Sequence, residues 1–170
     1  MSDVERAEFS RKLGVAFQGG ALFSSMTVGD NIMLPLREHA ELDQMTMEIM
    51  MRLKLEVVSL AGFEDLMPSE LSGGMIKRAA FARAIVMDPQ LLFCDEPSAG
   101  LATGESHEMA EFLKSLDSEI AILIIEHDLD VIFEVATHIS VLHYGKLLTE
   151  GPADQIRNDP QVQEIYLGQG

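Results

Sequence analysis

The segment "QLLFCDEP", residues 90–97, decides the fold. A short unbroken apolar run that stops at charged residues and a proline has the length of a buried strand. Its two carboxylates, Asp95 and Glu96, emerge at the carboxyl end of that strand. Two other segments repeat the design. "EIAILIIE" (119–126) is an apolar strand followed by His127, and "KLGVAF" (12–17) runs into the turn signal Gln18-Gly19-Gly20. Between the strands the spacing is helical. "TVGDNIMLPLRE" (27–38) predicts a capped helix interrupted at Pro35, and residues 43–61 predict a second helix with Asp43 as N-cap. A third helix opens at Leu71-Ser72-Gly73-Gly74 and runs to about Met87, stopping before Asp88-Pro89 because the residue preceding a proline resists helix. Helices over about 104–116 and 129–136 and a strand "HISVLHY" (138–144) complete the alternation. Continuous apolar strands alternating with helices imply an α/β fold with a mostly parallel sheet covered on both faces. In such sheets functional groups collect at the carboxyl ends of the strands, which is where Gln18, Asp95, Glu96 and His127 fall.

Composition bounds what the chain does. With 170 residues, 47% of them hydrophobic, it is long enough for one packed domain and too short for two ordinary ones. A net charge of −16 repels polyanions and argues against nucleic acid as a partner, although one pocket with local N–H groups or a metal ion can still hold a nucleotide. The single cysteine, Cys94, has nothing to bridge to and reads as a small core residue, so a disulfide framework is excluded and a reducing compartment fits. No apolar run approaches a membrane span, and the charged start "MSDVERAEFSRK" has no signal-peptide core. The methionines of residues 43–61 serve either as core filler or as an adaptable docking surface.

The chemistry-bearing residues have bland and sharp readings. Asp95 and Glu96 are either a polar strand exit or a site in which Asp95 holds Mg²⁺ while Glu96 orients and deprotonates a water. His127 projects from the next strand end, where an imidazole can hydrogen-bond a terminal phosphate; alone it would more often be structural. Gln18 offers an amide that can ligate the metal or position water. The turn Ser72-Gly73-Gly74 leads directly into a helix, the geometry in which backbone N–H groups hold an anion. No G-x-x-x-x-G-K-[ST] phosphate loop occurs anywhere in the chain.

Taken in this order, these residues resemble the nucleotide-binding subunit of ATP-binding-cassette (ABC) transporters, over essentially the whole chain. Gln18 matches that family's Q-loop, "LSGGM" (71–75) its signature motif, "LLFCDE" (91–96) its Walker B strand with the catalytic glutamate, "SAGLA" (98–102) its D-loop and "EHD" (126–128) its switch histidine. The resemblance implies a P-loop-NTPase-like α/β fold with a helical signature subdomain. It implies one partial ATPase domain over 1–170: a Q-loop strand and loop (11–26), the helical subdomain and signature helix (27–88), the Walker B, D-loop and switch core (89–150) and a helical tail (151–170). Glu96, His127 and Gln18 would be catalytic, and Asp95 and Gln18 would hold Mg²⁺. Leu71, Ser72, Gly73, Gly74 and Met75 would bind the ATP of a second ATPase subunit in a head-to-tail dimer. A membrane permease would be the other partner, with the chain peripheral on the cytoplasmic face of the inner membrane. Residues 17–39 look like ATPases that power phospholipid traffic of the Mla/Mce type, whereas 143–168 look like those of branched-chain amino-acid importers. Leu22, Phe23, Leu34 and Leu36 serve either internal packing or permease docking.

The match fails in three places. Family members carry a phosphate loop and further strands upstream of the Q-loop, so this chain is expected to be a truncated form with an unpaired sheet edge, inactive alone. Ala102 and Thr103 stand where D-loops usually have Asp and Pro, and Met75 where the signature usually ends in Gln. Two explanations stay open. Retention of Gln18, Asp95, Glu96 and His127 favours a fragment of an active ATPase, and the other is a non-hydrolysing subunit that lends its signature motif to a complete partner.

Overall fold

A computed structural model describes residues 9–167. They group into two compact units, the first ending at Glu126 and the second beginning at His127. Of the charged start at 1–12, residues 1–8 lie outside the described set, and Phe9 to Arg11 is helical.

The first unit is built on three parallel strands, β1 (Leu13–Ala16), β2 (Leu91–Asp95) and β3 (Ala121–Ile125), in the order β1-β2-β3. Register pairs Gly14 with Leu92 and Ala16 with Cys94, then Leu92 with Ile122 and Cys94 with Ile124. Those residues therefore share one face of the sheet, because side chains alternate along a strand. On that face Ala16, Leu92 and Cys94 are buried. The other face departs from the expected two-sided cover: Leu123 is 49% and Ile125 60% exposed. Apolar content alone does not distinguish a strand buried on both sides from an edge strand with one open face.

Five further elements complete this unit. Helix α1 (Val28–His39) starts where the Thr27 side chain accepts from the Asp30 N–H, and it runs straight through Pro35 instead of breaking there. Pro35 removes one helical hydrogen bond, but Ile32, Met33 and Leu36 on either side of it are buried, and their burial holds the turn. Helix α2 (Gln44–Val57) is capped by Asp43 as expected, and it ends earlier than predicted, with Ser59 at φ +59°. The methionines of this helix divide: Met47 and Met51 are core, while Met45 is 71% exposed. A 3₁₀ turn (Pro68–Glu70) leads to α3 (Gly73–Ile85), whose N-cap is Ser72 and which stops short of Asp88 at φ +48°. Helix α4 (Thr103–Ser115) places Phe112 edge-on against Phe81 of α3, 5.3 Å between ring centroids.

Contact between α3 and β1 is close enough to dictate composition. A Cβ on Gly14 would lie 2.4 Å from the Ala84 carbonyl oxygen. Alanines 79, 80 and 82 keep α3 thin on its buried side.

The second unit holds α5 (Leu129–Val135), the antiparallel pair β4 (His138–His143) and β5 (Lys146–Pro152), and short helices α6 (Ala153–Arg157) and α7 (Pro160–Val162). "HISVLHY" is thus no member of the parallel sheet. Its partner strand was not anticipated from the sequence, although Tyr144 and Gly145, at φ +48° and +72°, form the doubly left-handed turn that joins tight hairpins. The helical tail expected from residue 151 begins, after the end of that strand, at Ala153. Among the described residues of the second unit, Val131, Ile156 and Val162 are buried apolar residues. No described helix is long and apolar enough to cross a membrane.

Candidate functional site

Because β1 and β2 are adjacent and parallel, the loops leaving their carboxyl ends meet. The Gln18 amide Nε2 donates to the Glu96 carboxylate Oε2 at 2.6 Å, across 78 residues of sequence. Asp95, the last residue of β2, is exposed beside it. Two of the predicted catalytic residues are therefore in direct contact, and the carboxylate predicted to hold metal adjoins them.

The backbone at Glu96 is unusual. Its φ is +45°, a left-handed conformation that costs a residue with a Cβ about 1–3 kcal/mol. Hydrogen bonds on both of its peptide groups hold it there. The Glu96 N–H donates to the Ile125 carbonyl at 2.8 Å, and the Glu96 carbonyl accepts from the Ala99 N–H at 3.1 Å and from Lys77 Nζ at 3.0 Å. Beyond the strand, the Ser98 N–H donates to Glu126 Oε1 at 2.8 Å, and the Ser98 hydroxyl donates to the same oxygen.

Helix α3 also fixes the loop that carries Gln18. Arg83 donates to the Gly20 carbonyl at 2.9 Å and to the Ala21 carbonyl at 2.8 Å. Gly20 is required twice over, since its φ is +78° and a Cβ there would meet Ile76 Cγ2 at 2.7 Å. Further along, the buried Asn31 amide accepts from the Phe23 N–H at 2.8 Å and donates to the Phe23, Met26 and Thr27 carbonyls at 3.1, 3.2 and 2.9 Å. Leu36 is core, at 1% exposure, whereas Phe23 is 53% exposed, so the four residues with two readings do not behave alike.

The signature residues lie elsewhere in the unit. Ser72 accepts from the Met75 N–H at 3.3 Å and caps α3, with Gly73 and Gly74 as its first residues. Ser72, Gly74, Met75, Arg78 and Glu105 line a cavity of about 300 Å³ whose walls include neither Gln18 nor Glu96. Leu71, the other residue of that motif, is buried at 9% exposure. His127 opens the second unit and directly precedes Asp128, whose side chain accepts from the Asp130 and Val131 N–H groups as the cap of α5. Lys77 and Arg83 were not singled out in the sequence, and Ser98 was named only as the first residue of the D-loop match. Basic residues recur through α3 at 77, 78 and 83, and nothing in that spacing tells a buried cation from a solvated one.

Residues 1–99 match the family model described as ABC transporter, and residues 146–170 match one described as branched-chain amino acid ATP-binding cassette transporter. The chain is 33% identical over 172 aligned residues to the intermembrane phospholipid transport system ATP-binding protein MlaF of Haemophilus influenzae, covering all of the chain and 65% of that protein. It is 36% identical over 168 residues to the probable ribonucleotide transport ATP-binding protein mkl of Mycobacterium leprae, covering 96% of the chain and 48% of that protein. The chain therefore spans 65% of the length of one of these curated relatives and 48% of the other. In structure it is similar to a dimeric ATP-binding cassette in a post-hydrolysis state bound to ADP and Pi, with a TM-score of 0.79 and 26% identity over 90% of this chain and 68% of the other. With its first 99 residues matched to the family model and its α/β fold shared with solved ATP-binding cassettes, the chain belongs to the ABC transporter family.

Proposed function

We propose that this chain forms the hydrolytic part of the ATP-driven subunit of a membrane transporter that moves phospholipid. The observation that carries the reading is the Gln18–Glu96 hydrogen bond at the carboxyl ends of β1 and β2. It places a carboxylate suited to accept a proton from water beside an amide suited to orient that water. The donors around it are oxygens, which suit a hard cation such as Mg²⁺. With the Gln18 nitrogen turned to Glu96, its amide oxygen and the Asp95 carboxylate are the atoms that would hold the ion. Bound there, the ion would neutralise phosphate charge as the terminal phosphoryl leaves.

In this reading His127 hydrogen-bonds the terminal phosphate. Ser72, Gly73 and Gly74, at the N-terminus of a 13-residue helix, present N–H groups to the ATP of a second subunit in a head-to-tail dimer. The permease is met by the loop after Gln18, where Phe23 is exposed. The subunit then sits peripherally on the cytoplasmic face of the inner membrane. Support for lipid as cargo comes from the relative named for intermembrane phospholipid transport. A second cargo, branched-chain amino acids, is favoured by the match of residues 146–170.

The test is ATP hydrolysis by the full-length gene product assembled with its permease. Glu96→Gln is expected to lower kcat by about 10²–10⁴-fold, and phospholipid, not leucine, is expected to stimulate the parent. No hydrolysis, or a rate indifferent to Glu96→Gln, would sink the ATPase reading. Stimulation by leucine alone would replace the cargo.

A further inference from the structure

The strained backbone at Glu96 is held in part by a side chain from a different element. Two of the bonds to its peptide groups, from the Glu96 N–H to Ile125 and from the Ala99 N–H to the Glu96 carbonyl, are backbone pairs that a strand exit and turn make with any residue. The third comes from Lys77, which lies on α3, 19 residues earlier, and is 8% exposed. Burying an ammonium is costly unless it is paired and hydrogen-bonded. Burial pushes Lys77 below its ordinary range, and the Glu126 and Glu96 carboxylates oppose that shift. A cation kept in this place at such a cost performs some task that an apolar residue of similar length would not.

We propose that Lys77 is a positioning residue for the hydrolytic centre: its ammonium, bonded to the Glu96 carbonyl, holds the left-handed peptide from which the Glu96 carboxylate reaches Gln18. The assignment rests on the reading of Glu96 as the base. Lys77 itself touches neither nucleotide nor metal in it.

Position adds a consequence. Lys77 stands just over a turn beyond the Ser72 cap, on the same helix that the signature turn opens. In a head-to-tail dimer that turn serves the neighbour's nucleotide while Glu96 serves the chain's own. One side chain then ties the two sites together. Ala102, where D-loops usually have an aspartate, carries no carboxylate of its own to supply such a tie.

Steady-state ATP hydrolysis by the full-length gene product in its complex tests this. Lys77→Met keeps the apolar stem and removes the ammonium. It is expected to lower kcat by about 10–100-fold, as misplacement of a reacting group does, while KM for ATP stays within about twofold. Lys77→Arg is expected to recover most of the rate. Combined with Glu96→Gln, Lys77→Met should add no further loss, because both act through one carboxylate. A merely structural lysine would instead lower the melting temperature and give a loss that adds to that of Glu96→Gln. If Lys77→Met does not fold, Lys77→Gln is read by the same criteria. A kcat within about twofold of the parent, or an additive double variant, overturns the proposal. A parent that hydrolyses ATP and is silenced by Glu96→Gln, yet is untouched by Lys77→Met, sinks only the Lys77 assignment. A parent that fails to hydrolyse ATP sinks the function beneath it.

Discussion

At the scale of single residues, the meeting of Gln18 and Glu96 was legible because each stands where an apolar run stops. Gln18 and Glu96 follow β1 and β2, and adjacency of those strands brings the two together. The residues that support them were not legible. Lys77 and Arg83 meet Glu96 and Gly20 only through packing between elements far apart in sequence. Gly14 is another such case, an apparently replaceable glycine inside an apolar run. Gly14→Ala drives a methyl group against the Ala84 carbonyl, backbone against backbone, and should cost about 1–3 kcal/mol or more in chemical denaturation. Cys94 was read correctly as core, at 1% exposure. Burial pushes its thiol from the reference value of 9.0 up to about 12. In the native chain it should therefore resist a thiol reagent at pH near 8 until the protein unfolds. The sign of the linkage follows. With the folded-state value raised, the thiol's contribution is fully present below pH 9.0 and is lost as pH rises toward about 12. Thermal melts of Cys94→Ala should accordingly show a shallower alkaline decline than the parent.

At the scale of elements, caps predicted from the sequence are found where a polar side chain immediately precedes a helix with buried apolar residues, at Thr27 and Asp43. Pro35 misled because local propensity was outweighed by buried neighbours in α1. The hairpin of β4 and β5 went unseen because its second strand, "KLLTEGP", alternates only weakly. The turn at Tyr144-Gly145 was the better signal. Helix α4 has the opposite weakness. Ala102 occupies its N-cap and has no side-chain acceptor, while Glu105 Oε2 accepts from the Ala102 N–H at 3.1 Å. Ala102→Asp supplies the missing acceptor and should stabilise the protein by about 1 kcal/mol, a rise of a few degrees by thermal melt. That variant also restores the family's usual D-loop residue, so its ATPase rate separates a stability effect from coupling.

At the scale of the molecule, the fold class could be read because strand and helix periods alternate along the chain. The open face of β3 could not, since Leu123 and Ile125 have the composition of core and the exposure of surface. The proposed hydrolytic centre is built on the first unit, from Gln18 and Glu96. Within that unit α3 runs from the signature turn past Lys77 to Arg83, so one helix meets the loop after Gln18 and the peptide of Glu96. The most direct test of this account is the single-turnover rate of ATP hydrolysis by the full-length gene product, parent against Glu96→Gln, with nucleotide binding measured in parallel. The account predicts that Glu96→Gln binds ATP as tightly as the parent and hydrolyses it about 10²–10⁴-fold more slowly. Equal rates in the two proteins would contradict it.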